Sequence, residues 1–397
     1  MKAYLVAQSA PLFPFRRSPA SFVLGDETVG ARLRRQLLSA RFEIIEARAD
    51  QIELDGPGCV LHDNLVLADA TVASLVSQVR GATRTVQWSV DASLMQTVRA
   101  DGRAPMISPL PVWVFGAKRE LEASTQLLET RPLFELPVGF PPKVFGLVNT
   151  RVPALDQFAV AIERWPELLN ASTLVARELG AKLYSFFSKV LPAPVLRWAL
   201  GSPRLVGLFN RKGRGCRVHP SAVLEGCVLG DDVEIGAHAY LRGAIIGSRT
   251  VIREGCSVQG AVLGHDSYVM RCDVANAYVG ASTVVATGML LNTLLGNETF
   301  IGGGVGFADY LNASRDVELR LPTGAQSSGQ RFLGSSVGDN CFIGAGLLFS
   351  PGEAIPSGSS ILNPQLINRV PPEFDQVFAA SRSTLTRIPA SFVKGTS

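Results

Sequence analysis

Metal and redox chemistry have little to work with in this chain. Its six cysteines (Cys59, Cys216, Cys227, Cys256, Cys272 and Cys341) contain no CxxC pair, and only four histidines occur in 397 residues. Neither a zinc site nor a disulfide framework is expected. Charge is also sparse: Asp, Glu, Lys and Arg make up 18% of the chain, against 47% hydrophobic residues. That balance excludes a disordered polyelectrolyte and requires a large core. No uninterrupted apolar run reaches the roughly 18 residues of a spanning helix. The N-terminus enters a strand-like segment directly, without the apolar stretch of a signal peptide. A soluble, cytoplasmic protein of two domains is the expectation.

The charges that are present are unevenly placed. The first 214 residues hold 26 Lys and Arg against 19 Asp and Glu, and the rest hold 12 against 15. Between Lys182 and Arg214 there are seven basic residues and no acidic one. Such a segment attracts anions, phosphates or an acidic membrane surface. It is also rich in aromatics (Tyr184, Phe186, Phe187, Trp198, Phe209), and Pro192 and Pro194 are expected to split it into short helices. Its two readings are an interfacial anchor and a helical linker packed between domains. The overall excess is too small for a nucleic-acid partner.

From Val218 onward a repeat takes over. Aliphatic residues recur at steps of mostly five or six, through Leu224, Leu229, Ile235, Leu241, Ile246, Ile252, Val258, Leu263, Val269, Val274, Val279, Val285, Leu291, Leu295 and Ile301. Glycine follows seven of them directly, and a strict six returns at Val337, Ile343, Phe349, Ile355 and Ile361. Neither a helix nor an alternating strand has this period. A hexapeptide period belongs to a parallel β-helix, three hexads to a coil, with the aliphatic residue pointing inward and a small residue turning the corner. The positions Leu229, Ile246, Leu263, Val279 and Leu295 are spaced 17, 17, 16 and 16, one coil each. Cys256 and Cys272, 16 apart, are expected to stack inward. The period breaks over 306–332, a length used for function or subunit contacts.

Upstream, apolar runs at 4–7, 42–47 and 58–65 alternate with helix-like segments at 29–39 and 68–79, the first with an arginine-rich outer face. This alternation predicts an α/β sheet. The expected organisation is an α/β domain over 1–165, a basic-aromatic linker over 166–214, a β-helix over 215–372 and a tail over 373–397.

The stretches GNETFIGGGVGFADYLNASRDV and SSGQRFLGSSVGDNCFIGAGLLFSPGEAIP resemble the left-handed β-helix domain of sugar-1-phosphate nucleotidylyltransferases. The opening MKAYLVAQS and the segments RRQLLSARFEIIEA and CVLHDNLVLADATVASLV resemble that family's Rossmann-like domain. The resemblance implies an α/β nucleotidyltransferase-like domain joined to an all-β left-handed parallel β-helix, assembled as a homotrimer. It also implies an anionic sugar phosphate or nucleotide as substrate, with Asp63 as a Mg2+ ligand. The chain departs from the pattern at the phosphate loop. Gln8-Ser9-Ala10-Pro11 follows the first strand, no glycine occurs before Gly25, and no lysine lies between Lys2 and Lys118. Arg16 and Arg17 are the cations near the expected loop, so anion binding falls to them.

Many hexapeptide solenoids instead transfer acyl groups from coenzyme A, using a histidine as general base in a groove between subunits. Here His238 and His265, the latter followed by Asp266, are the candidates, and 306–332 would shape the pocket. Three functions stay open: a sugar-phosphate or nucleotide-sugar transferase, an acyl-CoA-dependent acyltransferase, and a non-catalytic scaffold.

Overall fold

The computed structural model describes residues 1–25, 27–48, 52, 56–96, 99–100, 106–115, 124–130, 132–138, 150–189, 191–192, 195, 206–311 and 315–363. The tail 373–397 and much of the basic segment 182–214 lie outside the described residues.

A mixed α/β region comes first. Strand β1 (Lys2–Val6) is buried along Ala3 to Val6 and lies inside a six-stranded sheet. With it run β2 (Glu43–Ala47), β3 (Gly58–His62), β4 (Val86–Asp91), β5 (Ile107–Phe115) and β6 (Ser124–Leu127), in spatial order β6-β4-β5-β3-β1-β2. β1 pairs parallel with β2 and β3, β4 pairs parallel with β6, and β5 runs antiparallel to both its neighbours. A strand covered on both faces reads as a continuous apolar run, which is why Ala3-Tyr4-Leu5-Val6 shows no alternation. Helix α1 (Val29–Ser39) starts where the Thr28 hydroxyl accepts the amide of Ala31 at 3.1 Å. It turns Val29, Leu33 and Leu37 inward, at the four-residue spacing of one helix face. Helix α2 (Asp69–Gly81) does the same with Val72, Leu75 and Val79. The arginines of α1 do not all face out. Arg34 and Arg35 pair with Glu46 and Glu27 at the surface, but Arg32 is buried and meets Glu178 at 2.7 Å.

Glu178 stands on α3 (Trp165–Phe187), a helix of 23 residues. The helix ends before Pro192, and most of the segment beyond, where short helices are expected, lies outside the described residues. Its first turns are core, because Trp165, Leu168, Leu169 and Ala171 are fully buried in the same cluster as the sheet. Among the described residues no helix is long and apolar enough to cross a membrane.

An extensive parallel β region follows, built as three ladders of very short strands. The first pairs Leu229 with Ile246, then Leu263, Val279, Leu295, Val337 and Ile355. The second pairs Ile235 with Ile252, Val269, Val285, Ile301, Ile343 and Ile361. The third pairs Leu224 with Leu241, Val258, Val274, Leu290, Phe307 and Phe349. The chain visits the ladders in turn, so each returns after one sequence repeat, and nearly all these rungs are buried in one cluster. One expected rung differs: Leu290 is inward and fully buried, while Leu291 is half-buried. The corner after Val285 is one residue shorter than a strict six would make it, which shifts the inward position back by one. Cys256 and Cys272 are both buried as expected.

The glycines after the rungs have a cause other than corner turning. Gly230, Gly247 and Gly264 have no positive φ; the left-handed corner positions are residues such as Asp232, Arg249 and Asp266. A Cβ on Gly230 would stand 2.6 Å from the Ser248 nitrogen, and one on Gly264 would stand 2.5 Å from the Ala281 nitrogen. Adjacent coils approach too closely there for any side chain. Hydroxyls seal the same layer: Thr250, Ser267, Thr283 and Thr299 are buried and donate to the carbonyls of Gly264, Gly280, Gly296 and Gly338 at 2.7–3.0 Å.

The outer side of the first ladder is covered by the α/β region. Val262, Tyr278 and Leu294 belong to the cluster of the N-terminal sheet, and Phe22 packs edge-on against Tyr278 at 6.1 Å. The break at 306–332 holds a hairpin, Glu318–Leu321 paired with Gly324–Ser327. Val317 and Leu319 are fully buried in that N-terminal cluster. Beyond the hairpin, Gln96 donates to the Gly329 carbonyl at 3.0 Å. The insertion therefore ties the ladders to the sheet within one chain.

Candidate functional sites

The first candidate lies at the C-terminal ends of the parallel strands β1 and β3, where α/β sheets commonly bind ligands. The Asp63 backbone amide donates to the Val6 carbonyl at 3.0 Å, and its carboxylate accepts the Gln8 amide at 2.7 Å. The Gln8 side chain meets His62 Nδ1 at 3.1 Å, and the His62 ring lies 5.7 Å from Trp113 of β5. Burial raises the Asp63 carboxyl above its ordinary value, although the Gln8 amide works the other way. Burial also lowers the imidazole of His62. Asp63 thus latches the chain where a phosphate loop would open. Among the described residues no group of three His, Cys, Asp or Glu side chains suited to a metal occurs.

Of the two cations expected near that loop, Arg17 is engaged elsewhere. Arg17 reaches Asp339 at 3.1 Å and Asn297 at 3.3 Å in the ladder region, with its guanidinium 3.9 Å above the Phe22 ring. It is a clasp between the two regions of the chain. Arg16 is exposed. Of the expected set Arg16, Arg17 and Asp63, Arg17 is taken up by Asp339 and Asn297.

His238 and His265 sit on different corners of the coil. His238 follows the second ladder, exposed, in the left-handed conformation (φ 57), with its backbone amide bonded to the Ser221 hydroxyl at 3.0 Å. His265 follows the first ladder, exposed, with Nδ1 2.7 Å from an Asp266 oxygen. Asp266 is gripped from the preceding coil by Arg249, through Nε and Nη2 at 2.6 Å each. Those hydrogen bonds from Arg249, with a second contribution from His265, hold its carboxyl down at about 2. Asp266 is therefore a carboxylate throughout the neutral range. Since a carboxylate only accepts, Nδ1 carries the proton, and in the neutral ring Nε2 presents its lone pair. The signal for Arg249 is in the sequence: it precedes Asp266 by 17 residues, one coil. The period that places apolar rungs also places charges opposite each other.

No protein-family profile matches the chain, and no curated protein matches it. A solved structure with partial likeness is the acetyltransferase domain of PglB from Neisseria gonorrhoeae FA1090, at 14% identity and a TM-score of 0.17. The match covers 46% of this chain and 63% of that one, so it spans less than two thirds of that domain. At this TM-score the likeness carries no argument.

Proposed function

We propose that the chain is a hexapeptide-repeat acyltransferase. In this reading the three ladders close into a left-handed parallel β-helix over 215–372, the α/β domain over 1–165 and the linker over 166–214 dock on it, and three copies assemble. The observation that carries the function is the exposed His265–Asp266 pair, an imidazole held by an ionised carboxylate. The proton of an acceptor hydroxyl or amine moves to His265 Nε2 as its oxygen or nitrogen attacks the thioester carbonyl. The new C–O or C–N bond forms, the C–S bond breaks, and the imidazolium returns the proton to the departing thiolate of coenzyme A. Asp266 stabilises the imidazolium and fixes the tautomer; Arg249 positions Asp266.

Thiol release from acetyl-CoA, screened against amino sugars and sugar hydroxyls, tests this. His265→Ala is expected to lower kcat at least about a hundredfold, with His238→Ala unchanged. Turnover that survives His265→Ala would refute the base assignment. A second reading rests on the strand ends: Gln8, His62 and half-buried Trp113 offer polar and aromatic groups to a sugar or sugar nucleotide, held without nucleotidyl transfer. Binding of such ligands that is lost in Trp113→Ala would support it. The six unpaired thiols fit work in the reducing cytoplasm.

A further inference from the structure

The outer sides of the three ladders differ. On the first, Val262, Tyr278 and Leu294 are buried beneath the α/β region. The third interrupts its apolar Val223 and Met289 with Tyr240, Ser257 and Asp273. The second carries an unbroken apolar column, in which Val251 pairs with Tyr268, then Val284, Phe300 and Phe342. Glu234, held by Arg217 at 2.6 Å, bounds it at one end and Ser360 at the other. The Phe300 and Phe342 rings stack at 5.0 Å. Met270 and Ala286, two residues on from Tyr268 and Val284, widen the strip. Among the described residues all of these stay half-buried, whereas their counterparts on the first ladder are covered. The column runs for about 19 Å at the spacing of neighbouring strands. An ordered apolar strip of this kind, unlike scattered surface residues, marks a docking face.

The chain leaves the ladders at this column. Ile361 is the last rung of the second ladder, and Asn363 donates to the Gly346 carbonyl at 3.1 Å. After ten more residues comes the sequence FDQVFAASRSTLTRI, 374–388. Its Phe374, Val377, Phe378, Leu385 and Ile388 recur at steps of three, one and seven, which keeps them on one helix face. Pro371 and Pro372 precede it and Pro389 follows, with Glu373 and Asp375 at the start and Arg382 and Arg387 toward the end. Those are the start and stop signals of a helix whose dipole is complemented at both ends. A helix of this length is marginal in water by itself and gains its stability from an apolar surface. We propose that 374–388 docks as an amphipathic helix along the outer column of the second ladder in the same chain. Its length of about 22 Å matches the column. The connecting residues reach about 33 Å when extended, so every rung from Phe342 back to Val251 is within range. So short a tether holds the segment at an effective concentration on the order of 1 mM, which a second copy has to exceed to displace it.

Hydrogen exchange and hydroxyl-radical footprinting of the full chain test the docking. In the parent, amides across 374–388 are expected to exchange at least about tenfold slower than in a synthetic peptide of the same sequence. Phe374→Asp combined with Phe378→Asp removes the docking face without touching a ladder residue. That variant is expected to lose the protection and to show faster radical oxidation of Phe300 and Phe342, with amide exchange on the ladders unchanged. The reciprocal pair, Phe300→Ser combined with Phe342→Ser, is expected to release 374–388 in the same way. Parent amides that exchange at the peptide rate overturn the proposal, as does protection that survives the reciprocal pair. Protection lost on dilution assigns the segment to the face of another copy and overturns docking within one chain. Oxidation of Phe300 and Phe342 that falls with rising protein concentration and ignores the Phe374 and Phe378 substitutions gives the column to a second copy, and overturns it too.

Discussion

Replacing Gly264 by alanine puts the close approach of coils to a direct test. The added Cβ would lie 2.5 Å from the Ala281 nitrogen and 2.7 Å from both the Ala281 Cα and the Gly280 carbonyl carbon. All three are backbone atoms, so no side chain can rotate away. Ordinary contact begins at 3.4 Å, which means the two coils must separate locally by about 0.9 Å. That movement opposes the bonds that hold them: Gly264 N to Val279 O at 2.8 Å and Ser267 Oγ to Gly280 O at 2.9 Å. Overpacking of this kind costs about 1–3 kcal/mol. Stretching one inter-coil hydrogen bond adds about 1 kcal/mol. Together they come to about 2–4 kcal/mol. Gly81→Ala is the control: it ends α2 with nothing within 4 Å of the new atom, and is expected to leave stability unchanged or raise it by up to about 1 kcal/mol. Urea unfolding with linear extrapolation measures both, provided the slope m is the same as in the parent. If Gly264→Ala costs no more than Gly81→Ala, close approach between coils is not the reason glycine follows the rungs.

Two further perturbations probe the joints of the molecule. Arg17 and Asp339, both mostly shielded from solvent, are expected to couple by about 1–2 kcal/mol in a double-mutant cycle of Arg17→Met and Asp339→Asn, where Arg17→Met also removes the cation above the Phe22 ring; a coupling energy indistinguishable from zero would remove the clasp. Asp63 should give stability an unusual pH dependence. Its carboxyl is raised in the folded state, chiefly by burial, so its contribution is complete below the unfolded value of about 4 and declines as pH rises through the folded one. Asp63→Asn should flatten unfolding free energy measured between about pH 4 and pH 7; an unchanged profile would place the dependence elsewhere.

The candidate site divides into what one line of residues shows and what it hides. The His265–Asp266 neighbourhood is legible because the two are adjacent, and the inward rungs are legible because their period is short and repeated. Leu291 differs by one residue because the corner before it is shortened, and a count of hexads has no means of registering that. Asp63 is a special carboxylate at a strand end by its position alone, but its partner, the Gln8 amide, is 55 residues away. Proximity along the chain points Arg17 at an anion beside the first strand, whereas its oxygen partners on Asn297 and Asp339 come from across the molecule, 280 residues on in the case of Asn297. Long-range partners of this sort leave no local pattern.

Repetition by itself determined the second half of this protein, because each coil can bury its aliphatic residues only on a similar neighbour, and the period is therefore written into the chain. The tertiary structure alone decided which face of the ladders the α/β region covers and which cations are consumed as clasps. Those outcomes depend on charges and rings that meet across hundreds of residues, where burial and distance set their chemistry and sequence spacing does not.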